Sequence, residues 1–114
     1  MNRKKELKKE YRQMKPAMGV FGIQSQITGK YYLEGTANLR AAINRSIFQL
    51  NFGSHPNQEL QMDWTKLGQD NFAIKIIDEL PYTEEEPQKG YADEVQKLQE
   101  MWQEKLRLDG ASFY

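Results

Sequence analysis

The stretch of sequence that decides the fold is GVFGIQSQITGKYYLE, residues 19–34. Two segments rich in β-branched and aromatic residues, 20–25 and 30–35, flank Thr28 and Gly29. Glycine supplies the positive φ that tight hairpin turns need, so the pattern predicts an antiparallel β-hairpin. Two explanations of its aromatic residues stay open: they belong to the core, or they are what remains of an active site.

Beyond the hairpin, the spacing of apolar residues indicates two helices, a strand and a final helix. Asn38 is a candidate N-cap for the first helix, and Asn57 is a candidate N-cap for the second, which Gly68 ends. Residues 72–77 alternate as a strand does, and residues 91–108 have the spacing of an amphipathic helix. The sequence thus predicts an α+β fold in which helices flank a small three-stranded antiparallel sheet, in the order ββααβα.

The charges and helix formers divide the chain into three parts. We predict a basic helical arm at residues 1–17, a domain at residues 18–108 and a tail at residues 109–114. Residues 1–18 carry seven Lys or Arg against two Glu, a net charge of +5, although the whole chain is neutral. Such an arm either attracts a polyanion or is only a helix face exposed to solvent, and both interpretations stay open.

Composition excludes several classes of protein. The chain of 114 residues is long enough for one domain with a modest core. Without cysteine and with a single histidine, it has no disulfide, no thiolate metal site and no multi-histidine zinc site. We expect no membrane association, because there is neither a long apolar run nor an apolar leader segment. The lack of cysteine fits a cytoplasmic location, which we predict.

Four segments together resemble the GIY-YIG nuclease family over about residues 19–108. They are GVF at 19–21, YYLEG at 31–35, NLRAAI at 38–43 and a long segment at 53–78. The long segment carries the most specific pattern, which consists of His55, Leu60, Gln61, Trp64, Gly68 and Phe72.

The resemblance implies the same ββααβα fold and the cleavage of phosphodiester bonds in nucleic acid. In the family, two motif tyrosines and a helix arginine surround the scissile phosphate, and a glutamate on the last helix binds a divalent metal. Such groups polarise the phosphate and stabilise the negative charge of the transition state. By this resemblance Tyr32 and His55 are the candidate catalytic residues, although a loop role without chemistry stays open for His55.

At several motif positions the sequence departs from the family. The first motif tyrosine falls on Phe21, the helix arginine on Ala42 and the metal-binding glutamate on Gln99. A neutral amide is a poor anchor for Mg²⁺, which prefers charged oxygen ligands. The motif glycine falls on Glu34, whose carboxylate would repel a phosphate. Of the arginines near Ala42, Arg45 is the better replacement and Arg40 the poorer one, judged by their angles around a helix.

The sequence therefore predicts a nuclease-like domain that binds nucleic acid but lacks the full catalysis of the family. The candidate nucleic-acid-binding residues are Lys30, Arg40, Arg45, Lys4, Lys5 and Lys8. We expect no cofactor, and Mg²⁺ only if the domain is catalytic after all. Two alternatives stay open: an active metal-dependent endonuclease with a rearranged site, and a regulatory module that binds a protein partner.

Overall fold

A computed structural model describes residues 15–84 and 90–114 of the chain. Its elements follow the predicted order: β1 (Met18–Ser25), β2 (Tyr31–Thr36), α1 (Leu39–Phe52), α2 (Gln58–Leu67), a 3-10 turn (Gln69–Asn71), β3 (Phe72–Leu80) and α3 (Ala92–Leu108). The predicted α+β class and the ββααβα order are confirmed. Apart from its last three residues, the predicted helical arm lies outside the described residues.

The three strands form an antiparallel sheet in the order β2-β1-β3. The predicted hairpin joins β1 to β2 through residues 26–30, where Gly29 has a φ of 78°. The hydroxyl of Ser25 accepts hydrogen bonds from the backbone N–H groups of Ile27 and Thr28, which stabilises the turn. The loop therefore forms for the reason that the sequence indicates, a glycine in the left-handed region beside a polar turn residue.

Helices cover both faces of the central strand β1. Phe21 and Ile23 point to the face under α1 and α2, where the core also contains Leu39, Ala42, Leu50, Leu60 and Trp64. The opposite face lies under α3, whose Val95 packs against Gly35 of β2. Alternate side chains of one strand thus point into two different packing layers.

Both predicted helix caps are confirmed. The side chain of Asn38 accepts a hydrogen bond from the N–H of Ala41, and that of Asn57 accepts one from the N–H of Leu60. These contacts satisfy backbone donors that have no partner within the first turn of a helix. They also fix where α1 and α2 begin relative to the sheet.

The C-terminal residues, predicted as a tail, run along the outer edge of β2. The N–H of Tyr31 donates to the carbonyl of Ser112 at 2.9 Å, and the N–H of Tyr114 donates to the carbonyl of Tyr31 at 2.9 Å. Phe113 forms an isolated parallel bridge with Tyr31. Because β2 is an edge strand, its outward backbone groups lack a strand partner, and this segment supplies one.

Within the described residues, no helix has the length and apolar character that crossing a membrane requires.

Candidate active-site cleft

A cleft of about 140 Å³ opens at the outer edge of β2. Its walls include Tyr32 from β2, Asn57 at the start of α2, Gln99 from α3 and Tyr114. The cleft therefore brings together Tyr32 and Gln99, two positions to which the resemblance assigns catalytic and metal-binding roles. Tyr114 was assigned to a tail in the sequence analysis, and its hydroxyl instead donates to Asp63 at 2.8 Å beside the cleft.

Gln99 uses both atoms of its amide on the backbone of β2. Its Oε1 accepts a hydrogen bond from the N–H of Gly35 at 2.9 Å, and its Nε2 lies 3.5 Å from the carbonyl oxygen of Leu33. These two backbone groups face away from β1, at the open edge of the sheet. The amide thus takes the place of a neighbouring strand, because it offers an acceptor and a donor side by side.

The close approach of α3 to β2 depends on Gly35. A Cβ atom at this position would lie 2.8 Å from Val95 Cγ1 and 3.0 Å from the Val95 carbonyl oxygen. Any larger residue would push α3 outward, away from the edge that Gln99 closes. Glycine is therefore required at residue 35 for packing, one residue after the position to which the motif comparison assigned it.

Two of the positions that depart from the family motif lie in the core. Phe21 has an exposed fraction of 0% and Ala42 one of 2%. Both belong to the cluster between the sheet and the helices α1 and α2. Neither side chain reaches solvent, so neither contacts a substrate in this arrangement.

Tyr32, Glu34 and Arg45 form a cluster of hydrogen-bonded polar side chains, which we call the Tyr32 cluster. The hydroxyl of Tyr32 donates to Glu34 Oε1 at 2.6 Å, and Arg45 Nη2 lies 3.4 Å from Glu34 Oε2. Burial, reinforced by the hydrogen bond to Glu34, raises the pKa of Tyr32 well above its usual range. Tyr32 is therefore a hydrogen-bond donor at neutral pH, and the charge of Glu34 is partly neutralised by Arg45.

His55 is buried beside this cluster, with an exposed fraction of 5%. Its ring meets that of Tyr32 edge to face with 5.0 Å between centroids, and its Nδ1 accepts a hydrogen bond from the N–H of Asn57 at 3.0 Å. Burial lowers the pKa of His55, and the nearby carboxylate of Glu34 opposes that shift. A neutral imidazole thus packs against the candidate catalytic tyrosine and also orients the start of α2.

The candidate nucleic-acid-binding residues occupy different surroundings. Arg45 joins the Tyr32 cluster, whereas Arg40 is exposed on the first turn of α1. Lys30 lies 2.5 Å from Glu59 Oε1 and also lies over the ring of Tyr114, so its charge is partly neutralised. The other three candidates, Lys4, Lys5 and Lys8, lie outside the described residues.

The sequence reasoning missed the partners of Glu34. It assigned Glu34 only a repulsive effect, whereas the carboxylate joins Tyr32 to Arg45. One signal was available: residues two apart in a strand point to the same face, which makes Tyr32 and Glu34 neighbours. The approach of Arg45 had no such signal, because the packing of α1 on the sheet decides it.

The cleft does not fit the divalent metal that the resemblance implies. Gln99 is the residue to which the resemblance assigns the metal-ligand position, and both polar atoms of its amide face the β2 backbone. Within residues 15–84 and 90–114, no three His, Cys, Asp or Glu side chains are grouped closely enough to hold a metal ion. A neutral amide whose oxygen is already an acceptor is a weak ligand for a hard cation.

The α+β fold of the described residues, with the sheet order β2-β1-β3, matches the fold of the GIY-YIG catalytic domain. Its structural relatives include the catalytic domain of the homing endonuclease I-TevI, with a TM-score of 0.64 and 23% sequence identity, covering 79% of this chain and 88% of that one. A mutant form of the catalytic domain of the intron endonuclease I-TevI gives a TM-score of 0.66 at 20% identity, covering 86% of this chain and 92% of that one. No family model and no curated protein matches the chain. The likeness confirms the fold that the sequence predicts.

Proposed function

We propose that this chain is a nucleic-acid-binding domain built on a nuclease fold, without metal-dependent phosphodiester cleavage. The observation that carries this proposal is the position of Gln99. Where the fold's relatives are expected to hold a metal ion, this side chain hydrogen-bonds the N–H of Gly35. An amide that already hydrogen-bonds the backbone of β2 does not activate a phosphate. The surrounding surface can still bind one.

The charge pattern beside the cleft supports binding to a polyanion. Between Glu34 and Glu59 the sequence contains no acidic residue, although acidic residues make up 16 of the 114 in the chain. The same stretch contains Arg40 and Arg45, and both arginines are exposed on α1. The basic residues at 1–18 add positive charge at the sequence level. Contacts of this kind bind phosphates with little sequence preference and weaken as salt rises.

Arg45 is the arginine best placed for a phosphate near Tyr32. Its side chain is 62% exposed, and its distance of 3.4 Å from Glu34 makes a loose ion pair. A phosphate oxygen would compete with Glu34 for the guanidinium, and the exposed nitrogens allow bidentate contact. On binding, the guanidinium of Arg45 therefore exchanges the carboxylate of Glu34 for a phosphate of the nucleic acid.

A salt titration of nucleic-acid binding tests this proposal. The full chain is titrated with labelled DNA and RNA at several salt concentrations, beside a form that lacks residues 1–14. We expect binding at low salt that weakens with rising salt, and a shallower salt dependence without residues 1–14. Replacing Arg40 and Arg45 together by Gln weakens binding, whereas replacing Lys66 and Lys97 by Gln removes the same charge elsewhere and changes binding little. The absence of binding at low salt would contradict the proposal.

A second candidate function is cleavage by a rearranged site, and one observation favours it. The carboxylate of Glu34 accepts the hydrogen bond of the Tyr32 phenol at 2.6 Å, next to a neutral His55. Carboxylate and imidazole groups in such an arrangement are candidates for proton transfer. A plasmid-nicking assay with Mg²⁺ or Mn²⁺ decides the matter. Nicking that disappears in both Tyr32→Phe and Glu34→Gln would establish this function, whereas nicking that survives both comes from a contaminant.

A further inference from the structure

Two phenylalanine rings lie stacked on the outer surface of α1, where nothing in the described structure covers them. Phe48 is 60% exposed and Phe52 is 71% exposed, and their ring centroids are 4.5 Å apart with 27° between the planes. Residues four apart on a helix are surface neighbours, which explains the stacking. Two exposed rings in contact form a larger apolar surface than isolated exposed residues do, and such surfaces mark binding sites.

The helix that carries this aromatic pair has a positive net charge. Arg45 stands three residues before Phe48 and is therefore its neighbour on the helix surface, and Arg40 lies further toward the start of the same helix. Helix α1 contains no acidic residue at all. A partner that is both aromatic and anionic complements this surface, because rings stack on rings and phosphates pair with guanidinium groups.

We propose that Phe48 and Phe52 form a stacking platform for unpaired bases of single-stranded nucleic acid. This inference rests on the proposed function, since it specifies which form of nucleic acid the domain binds. Bases within a duplex are stacked on each other and offer no free ring face to a protein side chain. Proteins that bind single strands combine exposed aromatic rings with nearby cations, and stacking tolerates any sequence. On α1, Phe48 and Phe52 supply the rings, while Arg40 and Arg45 supply the phosphate contacts.

The experiment compares a short single-stranded oligonucleotide with the duplex of the same sequence by fluorescence anisotropy, using the full chain. Replacing Phe48 and Phe52 together by Ala weakens binding of the single strand by roughly tenfold or more, whereas duplex binding changes by less than about twofold. Phe→Tyr substitutions at both positions retain the preference, because the ring face remains. The matched control replaces Ile27 and Met62, which are 62% and 71% exposed, by Ala. It leaves both affinities unchanged.

The readout also separates stacking from loss of folding. Phe48→Leu with Phe52→Leu keeps apolar side chains but removes the rings, so it lowers single-strand affinity while the thermal unfolding midpoint stays near that of the parent chain. A base analogue such as 2-aminopurine in the oligonucleotide reports stacking directly, through quenching that the Leu variant abolishes.

Four results would overturn the inference. Equal loss of single-strand and duplex binding in the Phe variants, or no loss in either, removes the stacking role while arginine-dependent binding leaves the proposed function intact. Sedimentation that detects a dimer in the parent chain and a monomer in the Phe variants assigns the rings to a second copy of the chain instead. If the parent chain binds neither nucleic acid at low salt, the proposed function and this inference fail together.

Discussion

The side-chain oxygen of Gln99 accepts a hydrogen bond from the backbone N–H of Gly35 at 2.9 Å, and this contact links α3 to the edge of the sheet. A carboxylate at residue 99 would add a negative charge to the cleft, whereas the neutral amide of Gln99 hydrogen-bonds the outer edge of β2. Under the proposed function the same fold uses its cleft differently, since a site's chemistry depends on its side chains rather than on the fold. Mutation of Gln99 therefore tests whether its amide stabilises the contact between α3 and the edge of the sheet.

We predict that Gln99→Glu destabilises the fold at neutral pH by about 1 kcal/mol. A carboxylate can still accept from Gly35, but it cannot donate to the carbonyl of Leu33, and two oxygen atoms then face each other. Urea unfolding at neutral and acidic pH measures the effect. The difference from the parent chain shrinks at acidic pH, where the new carboxyl group is protonated and regains a donor.

Gln103→Glu is the matched control for this prediction. Gln103 lies one turn further along α3 and is exposed, so the same chemical change occurs outside the contact with β2. We expect its free energy of unfolding to stay within about 0.5 kcal/mol of the parent value. An equal loss in both variants would mean that added negative charge on α3 causes the effect, and the edge-closing role of Gln99 would be wrong.

A second prediction concerns the contact between Gly35 and Val95. Gly35→Ala places a methyl group 2.8 Å from Val95 Cγ1, so we expect a loss of about 1–3 kcal/mol in unfolding free energy, as for other overpacked sites. Chemical denaturation measures it. Val95→Ala removes the clashing methyl group, so the double variant is more stable than the sum of the two single effects predicts. Strictly additive effects would contradict the proposed close approach.

The sequence predicted the elements of this fold because their signals are local. Gly29 marks the hairpin, and Asn38 and Asn57 cap the helices, each through contacts within a few residues. The contacts that define the cleft are of another kind. Gln99 and Gly35 are 64 residues apart, and the approach of Arg45 to Glu34 depends on how α1 packs on the sheet. Spacing along the chain carries no information on such pairs.

The same reason explains why the motif comparison identified the positions that differ from the family but not the contacts that the new side chains make. It assigned the first motif tyrosine to Phe21, which lacks a hydroxyl, and the metal-binding glutamate to Gln99, which lacks a carboxylate. It did not reveal that Phe21 is fully buried or that the amide of Gln99 binds backbone. The segment ending in Tyr114 carried no pairing signal either, because pairing at an edge strand is set by which backbone groups the sheet leaves free.

His55 leads to a prediction on pH. Burial lowers its pKa in the folded chain, so the unfolded chain binds a proton more readily below about pH 6.5, the ordinary histidine value. Its contribution to stability is present above that pH and is lost as the pH falls. Thermal unfolding between neutral and mildly acidic pH measures this. In His55→Asn, which keeps an acceptor for the N–H of Asn57 but does not titrate, the dependence is weaker; an unchanged dependence would show that other groups cause it.

The final prediction concerns Glu34, whose carboxylate holds Arg45 and accepts the Tyr32 hydroxyl. Glu34→Gln removes a negative charge beside the cleft and frees the guanidinium for phosphate, so nucleic-acid affinity rises by about two- to fivefold, as expected for an exposed ion pair. The gain is largest at low salt, because it is electrostatic. Asp109→Asn, which removes the same charge after the end of α3, leaves affinity nearly unchanged. Weaker binding in Glu34→Gln would instead indicate that the carboxylate orients Arg45 productively, and would reverse the role assigned to the Tyr32 cluster.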